Sequence, residues 1–245
     1  MYSSIPHLLL LFFLLLVVVR SVTPATPGSE SSENDETPEK PVDPLRTAVL
    51  SGNMKDLLAL IKQGKDINAA DPIDGRSLMH LAAHQGHLNI VYKLAELGNE
   101  QLVFQRDLDG ATPLHTASAR GMCFLLRHFK ELGADMEARD SSGMTALHMA
   151  ATFGHDLCVD TLDELNANLD VKDNEGMTPL HHACQMGQLN VVRKLEDLGA
   201  TLDITDQRGW RPIHNAAADG FPEIIRFLHT LGAKFNVGDK NGATP

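Results

Sequence analysis

The sequence predicts an all-α solenoid of stacked helix-turn-helix units joined by short β-turn or hairpin connections, and three observations carry that expectation. A tetrapeptide recurs as Thr112-Pro113-Leu114-His115, Thr145-Ala146-Leu147-His148, Thr178-Pro179-Leu180-His181 and Arg211-Pro212-Ile213-His214, with its histidines 33 residues apart. Weaker copies stand upstream at Ser77-Leu78-Met79-His80 and Pro44-Leu45-Arg46. Glycines keep fixed places within each period, at 86, 121, 154, 187 and 220 in mid-unit. Apolar residues make up 43% of the chain but aromatic ones only 5%, so packing falls to Leu, Ala, Val, Ile and Met, which suits helices. Repetition at this period means that each unit buries its apolar faces against its neighbours alone.

Taken in chain order, Leu8 to Val19 is an unbroken apolar run of the length of a signal-peptide core and too short to span a bilayer unaided. Small residues follow at Ser21 and Ala25, with Val19 and Thr23 two positions before each. We therefore expect a cleaved signal over residues 1–21, or up to 25, and entry to the secretory pathway; an uncleaved anchor and a cytoplasmic location are the alternatives. The stretch before the run is weakly basic, with only the amino terminus and His7 to carry positive charge. Residues 22–42 hold prolines, serines and the acids Glu30, Glu33, Asp35, Glu36 and Glu39, a composition that reads as a disordered acidic linker.

Repeats follow at about 43–75, 76–110, 111–143, 144–176, 177–209 and 210–242, with the start of a seventh at 243–245. Asp-x-x-Gly stands before the tetrapeptide, as in Asp140-Ser141-Ser142-Gly143, which suits a tight turn whose last residue needs a left-handed backbone. Threonine followed by proline then starts a helix: the hydroxyl caps a free N–H, and proline at the first helical position has none to waste. Paired small residues such as Ala82-Ala83 and Ala216-Ala217 let neighbouring helices approach closely. The mid-unit glycine turns the chain into a second helix, with Pro222 tolerated in the first turn of one of them. Gly98, Gly133, Gly199 and Gly232 end those second helices, and Asn166 stands in for glycine in the fourth repeat.

This grammar resembles the ankyrin repeat from about Asp43 to Pro245. The resemblance implies a turn and two antiparallel helices per repeat, stacked into a curved rod whose concave face is made by turn tips and first helices. Departures mark special places. Asn99 to Asp107 carries two extra residues and is expected to bulge, as is the longer turn Asp71-Pro72-Ile73-Asp74-Gly75. Arg46, Thr47, Lys55 and Lys62 give the first repeat the polar outer character of a capping unit. The chain stops in mid-motif at Gly242-Ala243-Thr244-Pro245, which suggests a fragment of a longer protein.

A net charge of −11 has the wrong sign for phosphates or anionic lipid, so nucleic acid is not an expected partner, and no membrane embedding is expected after signal removal. The three cysteines are odd in number and stand at no disulfide-like spacing, so Cys123, Cys158 and Cys184 are expected to be unbridged. Cys158 is expected to be the most exposed, and Cys184 buried filler. His80, His84 and His87 have helical spacing but belong mostly to the repeat motif, so no metal is expected. No activated nucleophile, phosphate loop or dinucleotide fingerprint appears, so neither enzyme activity nor a cofactor is expected.

What remains is a monomeric scaffold that binds a partner protein on its concave face, or else the regulatory or targeting part of a larger enzyme, channel or transporter. In relatives of such a family, contacts concentrate after the turn glycine and just before the mid-unit glycine. Those positions place Met144, Phe153, Met177, Met186 and Trp210 as an apolar stripe, with Arg120, Arg208, Arg211 and Asp219 as a charged rim.

Overall fold

The computed structural model describes residues 43–98 and 101–245, a unit distinct from the segment that precedes it. The expected signal over 1–21 and the linker over 22–42 lie outside the described residues, as does Asn99. Among the described residues there are thirteen helices and no strand. The first helices of successive repeats are α1 (Pro44–Leu50), α3 (Leu78–Gln85), α6 (Pro113–Ala119), α8 (Ala146–Phe153), α10 (Pro179–Gln185) and α12 (Pro212–Ala218). The second helices are α2 (Met54–Lys62), α4 (Leu88–Leu97), α7 (Cys123–Glu131), α9 (Asp156–Glu164), α11 (Leu189–Asp197) and α13 (Pro222–Thr230). A four-residue helix, α5 (Gln101–Phe104), stands between α4 and α6.

First helices pack on first helices in unbroken order from α1 to α12, and α7, α9, α11 and α13 pack in a second layer. The small residues predicted to allow close approach do so: Ala82, Ala83, Ala117, Ala150, Ala151, Ala183 and Ala216 have no exposed surface. Second helices bury one stripe each. In α4 it is Ile90, Val91, Leu94 and Ala95; in α11 it is Val191, Val192 and Leu195. The outer face of the first repeat is polar as expected, with Thr47, Lys55 and Lys62 exposed and Arg46 paired to Asp71 at 3.0 Å.

The extra residues of the second repeat form α5 rather than a bulging loop. Leu102 and Val103 are buried, and the helix packs on α3, α4 and α6. Gly98 consequently keeps an ordinary φ of −91°, and a Cβ there would lie 2.6 Å from Leu102 Cδ1. Asn166 is the one non-glycine residue with positive φ among those described, at 64°. It fills the left-handed position taken by Gly64, Gly133, Gly199 and Gly232 in other repeats.

Turns join one repeat to the next. Gly143 ends its turn at φ 77°, and a Cβ on it would lie 2.4 Å from Asn174 Oδ1 and 2.8 Å from the Asn174 backbone nitrogen. That crowding has a cause: successive turns are tied by backbone bonds, Ser141 N–H to Asp109 O, Asn174 N–H to Ser142 O and Gln207 N–H to Glu175 O, at 2.9, 2.9 and 3.0 Å. A basic row adds to them. Arg106 donates to the Arg139 carbonyl, Arg139 to the Lys172 carbonyl at 2.7 Å, and Lys172 to the Thr205 carbonyl at 2.8 Å.

The cysteines depart from expectation. Cys123, at the start of α7, is bonded to Cys158 in α9, with Cα atoms 4.6 Å apart, and Cys158 has no exposed surface. Cys184 is buried as expected. The spacing argument failed because residues about one repeat apart face each other in a solenoid, whatever their separation in sequence.

Candidate functional site

Each turn is held from inside by its aspartate. Asp140 Oδ1 accepts from the Ser142 and Met144 N–H groups at 2.9 and 2.8 Å, and Asp173 and Asp206 accept in the same way from their own turns. The histidine of the tetrapeptide then links one repeat to the next. Nδ1 of His115 accepts the Thr112 N–H at 3.2 Å, and Nε2 donates to the Met144 carbonyl at 3.0 Å. Because an N–H only donates and a carbonyl only accepts, the ring must be neutral with its proton on Nε2. His80, His148, His181 and His214 repeat the arrangement onto Ala111, Met177, Trp210 and Val237 at 3.0–3.1 Å. Thr112, Thr145 and Thr178 form capping boxes with the histidine three residues on, in the place more often taken by Glu or Gln. Burial holds His80, His115 and His181 down at about 4.

The predicted surface residues lie around this framework. The residues after the turn glycines, Ala111, Met144, Met177 and Trp210, have both backbone groups tied. Met177 is buried, 3% exposed, and does not belong to an exposed stripe. Met144, Phe153, Met186 and Trp210 are half-buried, so none of the five apolar residues stands fully in solvent. Trp210 is engaged on three sides: its Nε1 donates to Asp239 at 2.9 Å, Arg208 lies 4.2 Å over its ring, and His214 stacks on it. Arg120 and Arg208 are exposed. Arg211 is half-buried and faces Asp203 at 3.9 Å; Asp219 is half-buried at the C-cap of α12. Of the nine residues, the structure brings Arg208 and Trp210 into direct contact.

One cluster escaped the sequence reading. His182 Nε2 lies 2.8 Å from Asp173 Oδ2, and the His148 ring meets His182 edge-on at 5.4 Å. The three could outline a metal site. Both ring nitrogens of His148 are already committed, however, to the Thr145 N–H and the Met177 carbonyl, so only Asp173 and His182 have a donor to offer. Two ligands fall short of the three or four a zinc site uses. The signal was present in the sequence: other repeats carry Leu81, Thr116, Met149 and Asn215 where the fifth has His182.

No helix of the described residues is long and apolar enough to cross a membrane. The family model for ankyrin repeats (3 copies) matches residues 45–140 and 120–206. The ankyrin repeat domain of human ASB11 superposes with a TM-score of 0.72 and 30% identity, over 83% of this chain and 90% of that one. The ankyrin repeat domain of Bcl-3, described as a unique member of the IkappaB protein family, gives 0.70 and 27% over 84% and 93%. The nuclear factor NF-kappa-B p105 subunit of Mus musculus is 34% identical over 91 residues, which is 37% of this chain but 9% of that protein. The repeat grammar, the paired helices and these matches agree: the chain belongs to the ankyrin-repeat family.

Proposed function

We propose that this chain is a protein-interaction scaffold that binds a partner protein on the face made by its turn tips and first helices. Ankyrin repeats typically mediate protein–protein interaction, and one observation supports the finer reading. The polar groups that every repeat shares are spent inward, on turns and on the next repeat, while the positions just before the mid-unit glycine are left to vary at or near the surface. Arg120 there is exposed and Met186 half-buried. Arg208, exposed on the turn edge and stacked on Trp210, extends the same rim. A charged rim around half-buried apolar groups favours selection of one partner over others.

The test replaces Arg120 and Met186 together by glutamate in residues 43–245. Neither residue makes a repeat-to-repeat framework bond, so the helical circular dichroism and the thermal midpoint should hold while retention of partner proteins on the immobilised domain falls at least tenfold. Unchanged retention would move the binding face elsewhere. The proposed entry to the secretory pathway has its own test: native protein with an intact Met1 and a cytosolic distribution would overturn it.

A further inference from the structure

We propose that the Cys123–Cys158 bond is a redox clasp between the third and fourth repeats, opened and closed by thiol–disulfide exchange at the Cys123 sulfur. The two cysteines sit near the starts of α7 and α9, the second helices of adjacent repeats, 35 residues apart in sequence. About one turn further along α7, Arg127 pairs with Glu164, the last residue of α9. The bond is thus the covalent member of a two-point tie across one repeat interface, on the side of the solenoid where the histidine and turn bonds do not reach.

The two sulfurs differ in access. Cys158 has no exposed surface, whereas Cys123 is half-buried at the first position of its helix. An attacking thiolate needs to reach the sulfur it bonds to, so exchange is directed to Cys123. In the opening direction a glutathione thiolate bonds to Cys123 Sγ; the electron pair of the broken S–S bond leaves on Cys158 Sγ, which takes a proton. A second glutathione thiolate attacks the glutathione sulfur of the mixed disulfide, releasing glutathione disulfide and the Cys123 thiol. Closing runs the same steps backward: a dithiol and one glutathione disulfide become the bond and two glutathione thiols. Cys184 stays outside this chemistry, because it is fully buried in α10 and burial pushes its thiol well above the ordinary range.

The experiment equilibrates the full chain across glutathione to glutathione-disulfide ratios, quenches with acid, unfolds, and counts thiols with a maleimide-polyethylene glycol reagent. One two-electron transition is expected, from a single labelled thiol at Cys184 to three. The oxidised form should melt on the order of 5–10 °C above the reduced form, the span expected of one cross-link over a loop of this size. Cys184→Ser should leave both results unchanged. Native Cys158→Ala should accept one glutathione from glutathione disulfide at Cys123, while Cys123→Ala should resist modification. Three labelled thiols at every ratio, equal melting of the two forms, or preferred modification of Cys158 would each overturn the proposal. If either variant fails to fold, the titration and melting of the unmutated chain decide it.

Discussion

The two sides of this solenoid are held together by different chemistry. On the turn and first-helix side the repeats from the second onward spend the same polar groups in the same way: an aspartate inside the turn, a backbone bond to the next turn, a histidine bridging to a carbonyl beyond. On the second-helix side the repeats meet through apolar stripes of variable composition, joined by Arg127–Glu164 and Lys194–Asp160 ion pairs, and one interface adds a disulfide found at no other among the described residues. Periodic bonds make the first side regular and legible; singular contacts make the second side individual.

Acid gives the strongest way to break the first side. His80, His115 and His181 are neutral in the folded chain, held at about 4 by burial, against 6.5 for an ordinary histidine. Between those values the unfolded chain binds protons that the folded chain refuses, so stability is intact above 6.5, drains as the pH falls through the window, and changes no further on their account below 4. Each contributes up to about 3 kcal/mol across the window, enough in sum to rival a whole domain's stability. Urea midpoints measured from pH 7.5 to 4 should fall steeply below 6.5; a flat profile would show that these rings do not bridge repeats as neutral groups.

A sharper cut compares two histidines of the same helix layer. His115→Ala leaves the Thr112 N–H and the Met144 carbonyl without their partner in a buried site and should cost about 2–4 kcal/mol in urea unfolding. His84 Nε2 has no partner to lose, so His84→Ala should cost under about 1 kcal/mol. Equal losses would mean that volume, not bridging, sets the contribution.

Glycine offers the same contrast along the turns. Gly143→Ala meets both the left-handed strain and the Asn174 backbone, and should cost about 2–3 kcal/mol. Gly199 is equally left-handed at φ 89°, but a Cβ there meets nothing within 4 Å, so its alanine variant should cost about 1 kcal/mol. Melting curves of the two variants would collapse the distinction if they coincided. The smallest effect is a gain: Asn166→Gly relieves a side chain at positive φ and should add about 0.5–1 kcal/mol to the urea-derived stability.

Legibility followed the same division. The left-handed glycines, the Asn166 substitution, the Pro222 helix start and the buried Cys184 could all be read, because each is a local rule repeated in phase. That threonine would cap its helix was also readable, but the histidine's second bond was not, since its acceptor lies 29 residues on, in another repeat. The stripe of Met144, Phe153, Met177, Met186 and Trp210 was drawn on the assumption that a free sequence position is an exposed one. The structure buries Met177 and leaves the other four half-buried. α5 was read as a loop because four residues carry too little periodicity to announce a helix, and what fixes them is the packing of Leu102 and Val103.

The turn edge has a mechanical consequence. Ser141, Asn174 and Gln207 each sit one short hydrogen bond from the preceding turn, and Arg139 and Lys172 brace the following one, so spacing along that edge is nearly inextensible. Aliphatic contacts between second helices have no such fixed length. Any bending of the stack therefore pivots about the turn edge as its neutral axis, with the helices fanning apart or together behind it, and compliance is lowest where α7 and α9 are stitched.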